Sequence, residues 1–207
     1  MNRAVAFLVF SVFQVSVLFL SPAYAAPGMG ARWERPNGSK VEWSDYAFNE
    51  IRRQGDVLTK TTPRDIDEFC PGYPSLREDE KREFWVYFIS TITELESSHR
   101  PALFYQESFR DSSGQLVVSR GLLQMSFLSA NAYGCGFSTS ADLHDPFQNL
   151  SCGIKILSHW IGRDGRITGK GPRGWMGGGR YWSVLRTDKK LSQIQGWTNA
   201  YCLKRSG

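Results

Sequence analysis

The chain has only three histidines, His99, His144 and His159, and they form no His-Glu-x-x-His pair. Its four cysteines, Cys70, Cys135, Cys152 and Cys202, contain no Cys-x-x-Cys. Zinc sites draw on such closely spaced ligands, so their spacing here does not read as one. Glu96 and His99 form a single Glu-x-x-His, whereas di-metal bundles use two. No catalytic metal and no cofactor is therefore expected. Gly169-Lys170-Gly171 lacks the rest of a phosphate-binding loop. No helix-turn-helix, zinc finger or aromatic RNA-binding signature stands out, so nucleic acid is not an expected partner. No cysteine precedes Cys70, which leaves no site for a lipid-modified N-terminus. Internal repeats and a second core are also missing.

What is present begins with an export signal over residues 1–25. Arg3 gives the positive end, Ala4 to Leu20 the apolar run, and Ala23-Tyr24-Ala25 a small-x-small cleavage site. The run is almost long enough to span a bilayer, but the Ser21-Pro22 break and the cleavage site favour removal. Cleavage after Ala25 leaves 182 residues, enough for one domain with a sizeable core. No stable membrane insertion is then expected, and the product is secreted or periplasmic. Net charge is +5 for the whole chain and +4 without Arg3. That balance suits an anionic polymer such as bacterial cell wall. An even number of cysteines in an exported chain argues for disulfides. Four cysteines allow three pairings. Cys135–Cys152 with Cys70–Cys202 is preferred, because the first ties a Gly-rich turn to a nearby helix and the second pins the tail.

Residues 26–42, rich in Gly, Pro and Arg, read as an extended leader, with the domain proper over 43–207. Ser44 reads as the cap of a short helix to about Arg53, and Thr62-Pro63 as a second helix start. Ser75-Leu76-Arg77-Glu78 resembles a capping box that opens a long helix ending near Glu96. Residues 99–120 lack helical periodicity, and Gln115 to Val118 suggest a strand of a small β-hairpin. A third helical stretch is expected from Gly121 to Tyr133. Asp145-Pro146-Phe147-Gln148 is a strong start signal, followed by Phe147, Leu150, Ile154, Leu157 and Ile161 on one face. Gly162 to Gly179 holds eight glycines and four basic residues. It reads as a long mobile loop, either a basic rim to a cleft or a solvated linker. Tyr181 to Leu185 suggests a short helix before an irregular tail. The chain is mostly α, with little β.

One glutamate is placed where glutamates are uncommon. Trp85, Ile89, Ile92 and Glu96 are spaced by four, three and four residues and share one helical face. Glu94 lies roughly 200° round the helix, toward solvent. The Glu96 carboxyl should therefore lose hydration, rise in pKa and hold a proton near neutrality, as a general acid must. The alternative is a helix end frayed at Ser97-Ser98, with Glu96 in water.

Three stretches in order resemble the goose-type lysozyme and soluble lytic transglycosylase family. Glu96-Ser97-Ser98 looks like its Glu-Ser motif at the end of a buried helix. Arg120-Gly121-Leu122-Leu123-Gln124-Met125 is similar to its Gly-Leu-Met-Gln signature. Asp145-Pro146-Phe147-Gln148-Asn149-Leu150, then Gly153, looks like its Asp-Pro-x-x-Asn-Ile-x-x-Gly helix start. The resemblance covers about residues 80–186. It implies a single-domain, lysozyme-like α+β fold with a small β-hairpin, acting as a monomer on peptidoglycan glycan strands. It implies Glu96 as catalytic acid and base, Gln124 lining the sugar cleft, and the Met125 backbone meeting the N-acetyl group. Ser97 or Ser98 would orient the site, or else cap the helix. Tyr181 would bring a phenol toward Glu96, or else pack in the core.

The expected reaction is cleavage of the β-1,4 bond between N-acetylmuramic acid and N-acetylglucosamine, or its de-N-acetylated form. Glycosidases generally pair two carboxylates. The candidate partners here, Glu107 and Asp111, have no motif behind them, and the reading as solvated loop residues is preferred. Ser126 stands where goose-type lysozymes tend to carry aspartate. That favours the lytic transglycosylase route, with a hydrolytic lysozyme as the alternative. A catalytically inactive wall-binding protein is the non-enzyme alternative. The family's Gly-Ala before its signature is replaced here by Val118-Ser119-Arg120. Its late Ala-Tyr-Asn is replaced by Tyr181-Trp182-Ser183.

Overall fold

The computed structural model describes residues 29–34 and 40–204, and the expected signal segment lies outside them. The central element is α3 (Glu78–Ser97), and its sequence explains its position. Phe84 to Thr93 are all buried. A helix apolar on every side belongs inside a core. Its polar members are satisfied locally, because Ser90, Thr91 and Thr93 each donate to the carbonyl three residues back. The helix opens on Arg77, two residues after the expected Ser75 cap, and the Arg77 backbone N–H donates to Glu80 at 2.7 Å. Glu78, Asp79 and Glu80 favour the positive end of its dipole.

Four helices and an N-terminal turn surround α3. These are α1 (Val41–Gln54), α2 (Asp56–Lys60), α5 (Pro146–Asp164) and α6 (Asp188–Leu203), with the 3-10 turn Arg32–Glu34. α1, α2, α6 and the turn pack on α3 directly, and α5 closes over α1 and α2. Trp85 Nε1 donates to the Leu58 carbonyl and to the Tyr73 hydroxyl, both at 2.8 Å, which ties α3 to α2. One hydrophobic core runs through all of them.

Beyond α3 the chain forms a three-stranded antiparallel sheet. β1 (Phe104–Arg110) pairs with β2 (Leu116–Arg120), and β2 with β3 (Met125–Ser126). Tyr105 stands opposite Ser119, and Arg120 opposite Met125. The short α4 (Phe127–Ala132) follows. A second hairpin, β4 (Lys170–Gly171) with β5 (Gly174–Trp175), sits beyond α5. Disulfides join Cys70 to Cys202, pinning α6, and Cys135 to Cys152, pinning the turn before α5. No helix among the described residues is long and apolar enough to cross a membrane.

The Asp145 start of α5 is as expected: its side chain accepts from Gln148 N at 2.8 Å, with Pro146 at the first helical position. Several other expectations need correction. Residues 29–34 are not a free leader, since Ala31 and Trp33 are buried in the core. Ser44 is no cap but a buried residue inside α1, accepting from Trp33 Nε1 at 2.7 Å. Thr62-Pro63 opens only a turn and the 3-10 segment Ile66–Glu68. The stretch from Gly121 to Tyr133 is a turn, β3 and a six-residue helix rather than one helix. The glycine-rich stretch is folded. The buried Asp65 carboxylate accepts from the Ile167 and Thr168 amides at 2.8 and 2.9 Å, and Gly177, Gly178 and Gly179 are buried. The tail is not irregular but carries α6.

Candidate active site

Glu96 lies at the C-terminal end of α3 on the floor of an open cleft of about 830 Å³. The helix stops there because Ser98 and His99 both adopt left-handed φ, at 53° and 58°, and turn the chain away. Ser97 is buried and faces inward. Its hydroxyl donates to the Leu122 carbonyl at 2.8 Å and to the Thr93 carbonyl at 3.0 Å. It thereby locks the segment Gly121-Leu122-Leu123-Gln124 against the end of the acid's helix.

That segment is fixed from a third side. Asn149, fully buried on α5, donates to the Leu143 carbonyl at 2.8 Å and accepts from Leu123 N at 2.9 Å. Gly121 has φ 76° and sits against both groups. A Cβ there would fall 2.1 Å from the Leu143 oxygen and 2.3 Å from Asn149 Nδ2. Trp182 Nε1 adds a bond to the Leu123 carbonyl at 3.0 Å. The three motifs read separately in the sequence thus meet at one joint under the cleft. Asn149 had been carried inside a motif without a role, and this joint is its role.

Burial is the largest influence on Glu96 and pushes its carboxyl up from 4.5 to about 7. Lys190 and Arg186 pull the other way through their charge, and Glu107 pushes further up. Glu107 is half-buried on β1 and lines the same cleft. The Ser119 hydroxyl donates to it at 2.7 Å across the strand pair. Tyr105 and Phe109 flank it along β1, lining the cleft with 63% and 58% of their surface exposed. The sequence offered Glu107 only as an unsupported candidate, because a strand pairing twelve residues long in sequence (Glu107 to Ser119) has no motif.

The other expected site residues divide. Gln124 lines the cleft, with φ 46° and its Nε2 held by the Gly121 and Leu103 carbonyls at 2.8 and 3.2 Å. Tyr181 lines it too. Its hydroxyl oxygen is buried, with Ser129 alongside, and burial pushes the phenol up to about 12. Ser97 and Ser98 do not line it: the first is part of the joint and the second ends the helix. The Met125 side chain is buried in the core, and its backbone belongs to β3. Glu94 does not face open water. It forms a bidentate pair with Arg32, with Nη2 donating to Oε1 at 2.9 Å. Asp111 lines the cleft from the hairpin turn. Among the described residues no cluster of three or more histidine, cysteine, aspartate or glutamate side chains could hold a metal.

Three solved structures of Bd0314 DslA, a Bdellovibrio protein, are similar to this chain. The wild-type form shares 45% identity with a TM-score of 0.78, covering 81% of this chain and 93% of that one. A single Glu→Gln variant shares 44% identity at TM-score 0.78. A second shares 43% at 0.80, covering 83% of this chain and 97% of that one. The two substituted glutamates of that protein are eleven positions apart. No family model matches the chain, and no curated protein matches it.

Proposed function

The chain belongs to the DslA family, and from that premise we propose that it is an exported glycosidase that cleaves peptidoglycan strands, with Glu96 as its acid. The observation that carries this is a carboxyl titrating at about 7 on the floor of an open cleft. A carboxylic acid that keeps its proton near neutrality can donate it to a glycosidic oxygen. The substrate class is supported by the lysozyme-like arrangement of the three motifs and by the exposed rings of Tyr105 and Phe109, flat apolar surfaces suited to sugar faces. Export is supported by the signal-like residues 1–25 and by two disulfides, which fit an oxidising compartment.

The cleft supports hydrolysis above the lytic transglycosylase route favoured from Ser126. Glu107 supplies a second carboxylate from β1, held by Ser119. In this reading Glu96 gives its proton to the leaving oxygen as the glycosidic bond breaks. Glu107 takes a proton from a water, whose oxygen bonds to the anomeric carbon. Glu96 leaves the turnover ionised and Glu107 protonated, and exchange with solvent resets both. The two glutamates substituted in DslA are eleven positions apart, as are Glu96 and Glu107. Ser126 in the cleft keeps the transglycosylase as a second reading. There Glu96 would take back a proton from the sugar's C6 hydroxyl, closing an anhydro ring.

Digestion of purified wall in heavy-oxygen water separates the two. Hydrolysis leaves the label in a reducing sugar, whereas the anhydro product is lighter by one water and unlabelled. Unlabelled anhydro ends would remove Glu107 from the mechanism. No released fragments at all would end the glycosidase reading.

A further inference from the structure

Two cations in the cleft make no ion pair among the described residues. Arg186 and Lys190 both line the cavity that holds Glu96, and both are half-buried. Neither makes an ion pair or a side-chain hydrogen bond among the described residues. Two other cations with limited exposure, Arg180 and Arg32, are committed. Arg180, also in the cleft, binds Asp164 with Nε to Oδ2 at 2.7 Å, and Arg32 binds Glu94. Partial burial of a bare cation costs stability unless something compensates it. Lys190 moreover stands in the first turn of α6, where a cation opposes the helix dipole.

Catalysis by Glu96 does not account for them. Both pull its carboxyl toward ionisation, against the proton-holding that the acid needs. Beside Glu96, the acidic side chains of the cleft are Glu107 and Asp111 from the β-hairpin, which also brings Arg110 to it. The free cations come from the separate segment that leads into α6. Arg110 and Arg180, which line the same cleft, thus have hydrogen-bond partners within the protein, whereas Arg186 and Lys190 have none among the described residues.

We propose that Arg186 and Lys190 form a carboxylate-binding subsite for the acid-bearing side arm of the muramoyl sugar. This rests on the peptidoglycan reading above. Of the two alternating sugars only muramic acid carries a carboxyl arm, an ether-linked lactyl group. That arm ends either in its own carboxylate or in a stem peptide with further carboxylates. A guanidinium grips a carboxylate with two parallel hydrogen bonds, and an ammonium adds a mobile point charge. The subsite makes the enzyme select glycans by the acid on alternate sugars, and it passes over neutral polymers of N-acetylglucosamine.

Calorimetric binding to the mature Glu96→Gln protein tests this, because the ligand then stays intact. Three probes are compared: peptide-free glycan fragments with lactyl carboxylates, the same fragments converted to neutral methylamides, and fragments carrying stem peptides. The expected preference for free carboxylate over methylamide is about tenfold or more, the worth of charge-assisted hydrogen bonds. Adding Arg186→Gln with Lys190→Gln should abolish that preference and leave methylamide binding unchanged. Arg186→Lys should restore part of it. Preference for only the stem-bearing fragments, lost in the same variant, would assign the subsite to stem carboxylates. Equal weakening on charged and neutral probes would overturn the proposal, as would equal binding of all probes by the parent. Failure of the parent to bind any fragment would instead sink the glycan reading, and this subsite with it.

Discussion

Replacing Glu96 by glutamine should raise stability while ending activity, and the stability gain should depend on pH. The carboxyl titrates at about 7 in the fold against 4.5 when unperturbed. Below the lower value both folded and unfolded chains hold the proton, and burial of a charge is not at issue. Between the two values the unfolded chain has lost the proton and the folded chain has not. Each pH unit in that window takes roughly 1.4 kcal/mol from the fold, so the loss reaches about 3 kcal/mol as pH rises through the folded value, and stays there. Solvent on the open side of the cleft trims this to roughly 1–3 kcal/mol. Glutamine carries no charge at any pH. Glu96→Gln should therefore gain nothing at about pH 4 and gain the full amount at about pH 8. Urea unfolding of both proteins at the two pH values measures it. Asp67→Asn is the control, since Asp67 is exposed and removes the same charge. Glu94→Gln would be a poor control, because Glu94 holds Arg32. A gain equal at both pH values would refute the desolvated carboxyl. So would a gain matched by Asp67→Asn. Wall cleavage by Glu96→Gln should fall about 10²-fold or more.

Four further outcomes follow from the same geometry. Glu107→Gln should cut hydrolysis about 10²-fold. It should also move the alkaline limb of residual activity to lower pH, since the Glu107 charge helps raise Glu96; an unmoved limb in the pH–rate profile would contradict its placement. Tyr105→Ala should raise KM about fivefold to tenfold with little change in kcat, because an exposed ring binds ground and transition states alike; a fall in kcat alone would argue against a platform role. Denatured, unreduced protein should show no free thiol by titration. Removing Cys135–Cys152, whose partners are 17 residues apart, should cost about 3 kcal/mol by denaturant unfolding.

The parts legible in the sequence were those whose cause is local. The Asp145-Pro146 start of α5 is a cap, a fixed φ and a returning amide within four residues. The face bearing Glu96 is a helical spacing within one turn-by-turn repeat. What escaped depends on partners far along the chain. Glu107 enters the cleft through pairing of β1 with β2, and Trp33 is buried by α1 and α3. α6 was hidden because its apolar positions are diluted by Thr198, Asn199 and Gly196, and its order comes from packing on α3 and from Cys202. The glycine-rich stretch looked mobile, but its glycines are what allow backbone to press against Thr168, Ile167 and Leu185. Glu94 lies on the expected side of α3, where the distant Arg32 and His99 cover it.

The joint beneath the cleft also governs where this protein can drift. Gly121, Ser97 and Asn149 meet with no room for an added atom, so the floor tolerates almost no novelty. The hairpin and the segment that leads into the first turn of α6 carry their rings and charges on side chains that the core does not grip. Substitutions can therefore change what the walls contact while leaving the floor intact. A laboratory library aimed at new specificity belongs at Tyr105, Phe109, Arg186 and Lys190. The same diversity at Gly121 would return mostly unfolded chains.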